Sequence, residues 1–382
     1  RKVVFLFVFF ITISVFAQQE PNLSRYKTTK EKLKAWLKYT DKLVEAEDYS
    51  KAIIATQKGI IMAKNNNAFL SRFYLKQGVA YEFSNNQYQK ALINYEKCLE
   101  YARKSNHIET HTSALMRLNY IYYSLHDSVK NKKVVNDIKK VLDTTKSTYV
   151  QAVLYGSLGE YYLNYSEYEK FIGYQLKAIN YKKLLDKNVP NNENIGVSYI
   201  QIASSYVKMK QYNKALEYLK EANPYIKTSP YISAFSCNYH IQCFVAQKKP
   251  DSIRKYYNLV YTYPTVKDSL FLNLSFANQT VSQYYVDKGK INTAYAYAKK
   301  AVLFAQKSTD EEIEMEANAI MGRVLYQKGE YKNAIEILKK ASVNALTYDK
   351  ENFVNINKNL SQSFAALGDW KQAFQYNKIY SK

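Results

Sequence analysis

From about residue 30 onward, apolar positions recur at helical spacing almost without a break, and the breaks themselves recur. The clearest unit is Gly329-Glu330-Tyr331-Lys332-Asn333-Ala334-Ile335, running on to Ala341. Its skeleton is Gly-x-Tyr-x-x-Ala, with a second Ala seven residues after the first. The spacing predicts one helix ending at the Gly and another opening at the Tyr. The two alanines then lie two turns apart on one face, where a neighbouring helix must come very close. The same pairing of mostly small residues returns at Ala52/Gly59, Ala91/Cys98, Phe171/Ala178, Ala215/Ala222, Ala294/Ala301 and Ala373/Tyr380. Three positions before each pair stands a large apolar or aromatic residue: Tyr49, Tyr88, Tyr168, Tyr212, Ile291, Tyr331 and Trp370.

Upstream of these turns come Leu158-Gly159-x-x-Tyr162, Ile202-Ala203-x-x-Tyr206, Met321-Gly322-x-x-Leu325 and Leu360-Ser361-x-x-Phe364, with Trp36 near the start of the first helix. The combined pattern resembles the tetratricopeptide repeat family over roughly residues 30 to 380. The resemblance implies an all-α fold, a right-handed α-solenoid of about nine helix pairs with a concave inner surface. The period is about 40 residues against the family's 34, which calls for longer helices or longer turns between repeats. Two double-length gaps have room for degenerate repeats, at His111 to Tyr123 with Val129 to Leu142, and at Ile232 to Val245 with Ile253 to Tyr261. In these, Asp127-Ser128 and Asp251-Ser252 replace the Gly-x-Tyr turn, and each Asp is expected to cap the following helix. Prolines 190, 224, 230, 250 and 264 all fall at expected turns.

Composition changes this picture little. The 10 Gly and 6 Pro suit helices joined by short links, and the formal charge of +22 comes from 55 basic against 33 acidic residues. Only seven of the basic residues are Arg, and no run of like charges is long, so no nucleic-acid partner is expected. Cys98, Cys237 and Cys243 make no disulfide framework, and Cys98 occupies a small-residue packing position. Residues 1–17 have the form of a signal peptide: Arg1-Lys2, an apolar run from Val3 to Phe16, and Ala17 before Gln18. Residues 18–29 then form a short linker and 30–382 the solenoid, with the mature chain expected outside the cytoplasm, in the periplasm. The last residues, Asn377 to Lys382, fall inside a second helix with no cap after it, so further sequence is expected beyond them.

Catalytic signatures are sparse. Gly-x-Gly-x-x-Gly, phosphate-loop, Gly-x-Ser-x-Gly and His-Glu-x-x-His patterns are missing, and neither cofactor nor metal nor catalytic residue is expected. His107 and His111 share a helix face but have no third ligand in register, and read as a surface pair; His126 and His240 read as structural. Glu311, Glu312, Glu314 and Glu316 open a helix, where carboxylates meet the positive end of its dipole. The family resemblance places a binding site on the concave side, lined by the first helix of each pair. By repeat register the polar residues there are Glu160, Asn164, Lys208, Gln279, Gln283, Arg323, Gln327, Lys358 and Gln362. Amide side chains suit an extended peptide backbone, and Lys and Arg its carboxylates. The expected function is non-enzymatic binding of a peptide or protein. The chain resembles the extracytoplasmic sensor part of membrane-bound signalling or transcriptional regulators of Bacteroidetes type; the alternative is a stand-alone adaptor that scaffolds a complex. About twenty apolar residues beyond Lys382 would favour the sensor.

Overall fold

A computed structural model describes residues 19–84, 87–185, 192–263, 269–343, 345–348 and 350–380. The signal-peptide reading, Pro190 and Pro264 lie outside the described residues. The described residues are helical and fall into two bodies, dividing after Lys187.

In the first body, α1 (Thr29–Glu45) pairs with α2 (Tyr49–Ala63), and α3 (Asn67–Phe83) with α4 (Tyr88–Lys104). Next, α5 (Ile108–Ser124) pairs with α6 (Ser128–Thr144), and α7 (Thr148–Asn164) with α8 (Tyr168–Leu185). In the second body, α9 (Glu193–Lys208) pairs with α10 (Tyr212–Ile226), α11 (Pro230–Ala246) with α12 (Pro250–Thr262), and α13 (Ser269–Asp287) with α14 (Ile291–Ser308). There α15 (Glu311–Gln327) pairs with α16 (Tyr331–Ser342); the single turn α17 (Ala345–Tyr348) precedes α18 (Lys350–Ala366), which pairs with α19 (Trp370–Tyr380). Nine helix pairs thus stand among the described residues, the two degenerate ones included. The architecture is an all-α solenoid, and its long period comes from the helices, several of which run to 17 residues.

Burial explains the small residues. Ala52, Ala91, Cys98, Phe171, Ala178, Ala215, Ala222, Ala294, Ala301 and Ala334 are all 0% exposed. At Gly59 of α2, an added Cβ would lie 2.4 Å from the Phe73 ring of α3, so the ring of the next repeat occupies the space a side chain would take. Gly322 of α15 stands in the same relation to Leu338 of its own partner helix, at 2.4 Å. The first helices also lie side by side: α1, α3, α5 and α7 in one body, and α9, α11, α13, α15 and α18 in the other.

Among the described residues the link inside a repeat has one geometry at eight of the nine pairs. Two residues before the second helix the chain turns left-handed, at Glu47, His126, Ser166, Lys210, Lys248, Gly289, Gly329 and Gly368. The following N–H bonds back into the first helix, as in Glu167 N to Tyr162 O at 2.9 Å and Glu330 N to Leu325 O at 3.0 Å. This is the Schellman closure of a helix C-terminus. Glycine holds the left-handed position at only three of these turns, although it is the residue that adopts the conformation without a Cβ clash.

Two local expectations fail. Asp127 caps α6, accepting from Lys130 N at 2.9 Å, but Asp251 caps nothing. Pro250 takes the first helical position of α12, so Asp251 is carried into the first turn, where it pairs with Arg254 at 2.9 Å. Pro224 lies inside α10 and not at a turn. It falls in the last turn, so little helix remains beyond it to be disrupted. Trp370, at the register of the aromatic residues that open the second helices, is 70% exposed, whereas Tyr49 at the same register stacks on Phe83 with centroids 5.8 Å apart.

Gly59→Ala should lower stability by about 1–3 kcal/mol, because Phe73 is wholly buried and has no room to retreat. Lys210→Gly should raise it by about 0.5–1 kcal/mol by relieving the left-handed strain. Urea unfolding of the two variants beside the wild type measures both, and equal midpoints for all three would contradict the packing account.

Candidate inner-row binding site

Each first helix turns one side toward its partner helix, one edge toward each neighbouring first helix, and leaves one stripe uncovered. In the second body that stripe repeats at three- and four-residue steps. It comprises Gln201, Ser204 and Lys208 on α9, and Phe235, Tyr239 and Gln242 on α11. It continues with Phe276, Thr280, Gln283 and Asp287 on α13, Glu316, Ile320, Arg323 and Gln327 on α15, and Asn355, Asn359 and Gln362 on α18. None of these side chains is buried, while Ser205, Cys237, Ile241, Ala277, Ala317 and Val324 between them are.

Of the residues expected to line the site, Lys208, Gln327 and Gln362 are exposed on this stripe. Gln283 and Arg323 are brought together. The Arg323 guanidinium donates to Gln283 Oε1 at 2.7 Å and approaches Asp287 at 3.6 Å, while Gln283 Nε2 donates to Asp287 Oδ1 at 2.6 Å. This ties α13 to α15 across the stripe and leaves the guanidinium held in place.

Gln279 is off the stripe. It is 7% exposed and its Nε2 donates to Ser275 Oγ at 3.2 Å. Its register belongs to the seam between first helices: Asn238, at the equivalent place in α11, donates to Asn273 of α13 at 3.0 Å. Lys358 has the same register on α18, and stays exposed because no further first helix covers that flank among the described residues.

Glu160 and Asn164 lie on the corresponding stripe of the first body, on α7, Glu160 exposed and Asn164 half-buried. The protein around Glu160 raises its carboxyl pKa, against the opposing charges of Lys182 and Arg117. Arg117 is itself paired, at 3.3 Å, with Glu82, a carboxylate with a 3% exposed side chain that also accepts from Tyr95. Burial raises the Glu82 pKa, and Arg117 and Tyr95 oppose the rise.

Three of the four histidines are engaged, while His126 is exposed at a left-handed turn. Arg72 Nη2 lies 2.6 Å from His107 Nε2, and His107 Nδ1 caps α5, accepting from Thr110 N at 3.4 Å with Thr110 Oγ1 2.9 Å away. Arg103 Nε donates to His111 Nε2 at 3.4 Å. His240 is 6% exposed, stacked on Tyr256 with centroids 4.1 Å apart, and its Nδ1–H donates to the Ser236 carbonyl at 3.0 Å. No cluster of three or more metal-ligating side chains occurs among the described residues. Among them, too, no helix is long and apolar enough to cross a membrane. The three cysteines are buried free thiols.

What sequence reasoning missed is the aromatic content of the stripe. Most aromatic residues of the first helices pack inward, but Phe235, Tyr239 and Phe276 look outward. Phe235 and Tyr239 belong to the repeat of α11 with α12, which lacks the small-residue pair that sets the register elsewhere. Only the position of Cys237 and Ile241 as buried neighbours marks which face is open.

The tetratricopeptide repeat family model matches residues 71–105, 197–223 and 316–342. No curated protein sequence matches the chain. Among solved structures, apo RapI superposes with a TM-score of 0.61 at 13% identity, covering 91% of this chain and 96% of that one. A tetratricopeptide repeat protein from Parabacteroides merdae gives 0.53 at 14% identity, over 77% of this chain and 99% of its own. NprR in complex with its cognate peptide NprX gives 0.52 at 15% identity, over 81% and 88%. At these identities the likeness is one of fold.

The buried His240 predicts a pH dependence of stability. Burial lowers its pKa from 6.5 to about 4, so the unfolded chain takes up the proton first as pH falls. Stability should be constant above neutrality and fall between pH 6.5 and about 4, by about 3 kcal/mol. Urea midpoints across that window measure it, and His240→Phe, which keeps the stack on Tyr256, should flatten the decline.

Proposed function

We propose that this chain of tetratricopeptide repeats binds a peptide or protein partner along the inner stripe of its second body, and carries out no chemistry of its own. The observation that carries the reading is the amide lining: Gln201 on α9, Gln242 on α11, Gln327 on α15, and Asn355, Asn359 and Gln362 on α18 recur along the first helices without burial. An amide both donates and accepts, as a peptide backbone does, so a ladder of them matches an extended strand whatever its side chains. The peptide-bound NprR, which shares the fold, supports the same reading. Further, we place the chain outside the cytoplasm, as the sensor part of a membrane-bound regulator; the apolar run from Val3 to Phe16 after Arg1-Lys2 supports export.

Panning a phage-displayed library of random twelve-residue peptides on the purified chain tests the binding reading. Selected peptides should bind about tenfold or more weakly to a Gln201→Ala/Gln242→Ala double variant, and unchanged to Lys299→Ala on α14. A library that yields no binder, or binders indifferent to the inner stripe, overturns it. For export, residues 1–30 fused to alkaline phosphatase in a bacterial host should give active enzyme, since that reporter matures only outside the cytoplasm. An inactive fusion removes the sensor reading.

A further inference from the structure

One cleft of the first body arises where the repeat departs from its own pattern. In seven of the nine second helices among the described residues, the fifth residue is a large apolar or aromatic one, and Leu92, Ile172 and Ile335 there are at most 9% exposed. On α6 that residue is Lys132, and it is exposed. On the facing helix, Tyr161 of α7 stands five residues before its left-handed turn, where Ile121, Ser205, Cys243 and Val324 of other first helices are 0% exposed. Tyr161 is only half-buried. Between the two helices opens a cleft of about 430 Å³, lined by Ser128, Lys132, Lys133 and Asn136 of α6 and by Tyr161 and Tyr165 of α7.

The lining is rich in donors and contains no carboxylate among the described residues. Lys132 and Lys133 form no ion pair or hydrogen bond and lie over no ring among those residues, unlike the neighbouring Lys130, which lies over Tyr122 at 5.5 Å. The acids that flank them in sequence are already paired, Asp127 with Lys130 at 3.6 Å and Asp137 with Lys140 at 3.2 Å. In the other degenerate repeat the equivalent cation is satisfied internally, since Arg254, fifth on α12, pairs with Asp251 at 2.9 Å. The tyrosine wall is held in place. Tyr165 OH donates to Asn131 Oδ1 at 3.4 Å, its ring meets Tyr123 edge to face at 6.0 Å, and Tyr161 packs on it with centroids 4.9 Å apart.

We propose that this cleft binds an aryl phosphate, its ring against Tyr161 and Tyr165 and its phosphate held by Lys132, Lys133 and the Asn136 amide. Two unpaired ammonium groups suit a dianion, and the amide and the Ser128 hydroxyl add donors for the terminal oxygens of a phosphate monoester. The aromatic wall favours a flat apolar body beside that charge. The volume falls at the lower end of the roughly 300–1,000 Å³ of small-molecule sites, room for one ring and its anion. The site belongs to the first body and does not depend on the peptide-binding proposal, which concerns the second.

Isothermal titration calorimetry of the purified chain with phenyl phosphate, benzoate and inorganic phosphate tests the site. Phenyl phosphate should bind saturably and about tenfold or more tightly than either of the others. Lys132→Gln/Lys133→Gln should weaken it about tenfold or more. Lys177→Gln/Lys214→Gln, which removes equal charge from lysines lying over tyrosine rings, should leave it unchanged. Tyr161→Leu should narrow the advantage of phenyl phosphate over inorganic phosphate. A short phosphotyrosine peptide distinguishes the source of the group: binding as tight as that of phenyl phosphate assigns it to a protein side chain, and weaker binding to a free small molecule. No saturable binding at millimolar concentration, equal affinity for all three anions, or equal loss in the two double variants overturns the site. All four lysines are exposed, and thermal unfolding at the wild-type temperature confirms that their variants are compared as folded proteins.

Discussion

Everything in this solenoid depends on how closely neighbouring helices approach at the paired small positions. Where Gly59 leaves 2.4 Å between a hypothetical Cβ and the Phe73 ring, the spacing of two repeats is set by the thickness of one aromatic ring on bare backbone. The wholly buried alanines at the other pairs do the same with a methyl group. Once that distance is fixed, the link between the helices of a pair has little freedom. The Schellman closure is the way to reverse the chain within three residues while still satisfying the carbonyls of the helix end. The left-handed residue it needs is accepted as Glu, His, Ser or Lys at five of the turns, so packing outweighs the local strain there.

The same geometry accounts for the lysines and tyrosines. The third residue of a second helix lies over the tyrosine that ends the core of its first helix: Lys90 over Tyr81 at 5.4 Å, Lys130 over Tyr122 at 5.5 Å, Lys170 over Tyr162 at 5.1 Å and Lys214 over Tyr206 at 5.4 Å. Each lysine covers an aromatic edge that the short link leaves open, while its ammonium stays in water. A recurring structural role of this kind gives the positive charge a cause inside the fold. It needs no polyanionic partner to explain it.

This division of labour decides what was legible in the sequence. Gly329, Tyr331 and Ala334 could be read because packing fixes their type, and the register they set located both degenerate repeats. Asp127 was read correctly as a cap because nothing competes with it. Asp251 was not, because Pro250 just before it takes the first helical position and moves the helix start past the carboxylate. Gln279 was misplaced because a register counted from the turn fixes a residue's angle on its helix but not whether a neighbour covers that angle, and α15 covers it. Phe235, Tyr239 and Phe276 were invisible for the converse reason: an aromatic residue in a helix of this kind is usually core. Only the burial of Ser236, Cys237 and Ala277 shows that these three are turned the other way.

The inner stripe and the core are nearly independent within one helix, and that independence is what lets such a fold acquire partners. Next to Phe235, Phe276 and Glu316 in sequence stand Ser236, Ala277 and Ala317, small and at most 2% exposed, held to that size by the adjoining helix. The stripe residues have no such constraint, and the same register accepts two phenylalanines, a glutamate and, on α18, Asn355. Where the stripe does interact with itself, as when Arg323 joins Gln283 and Asp287, it orders polar side chains without burying them. A change there alters what the surface recognises and leaves the spacing of the helices untouched. Substitution at Ala277 or Ala317, one position away, would move the helices apart. Partner choice can therefore drift along the stripe while the repeat motif stays fixed, so the residues that identify the fold from sequence are not those that select the partner.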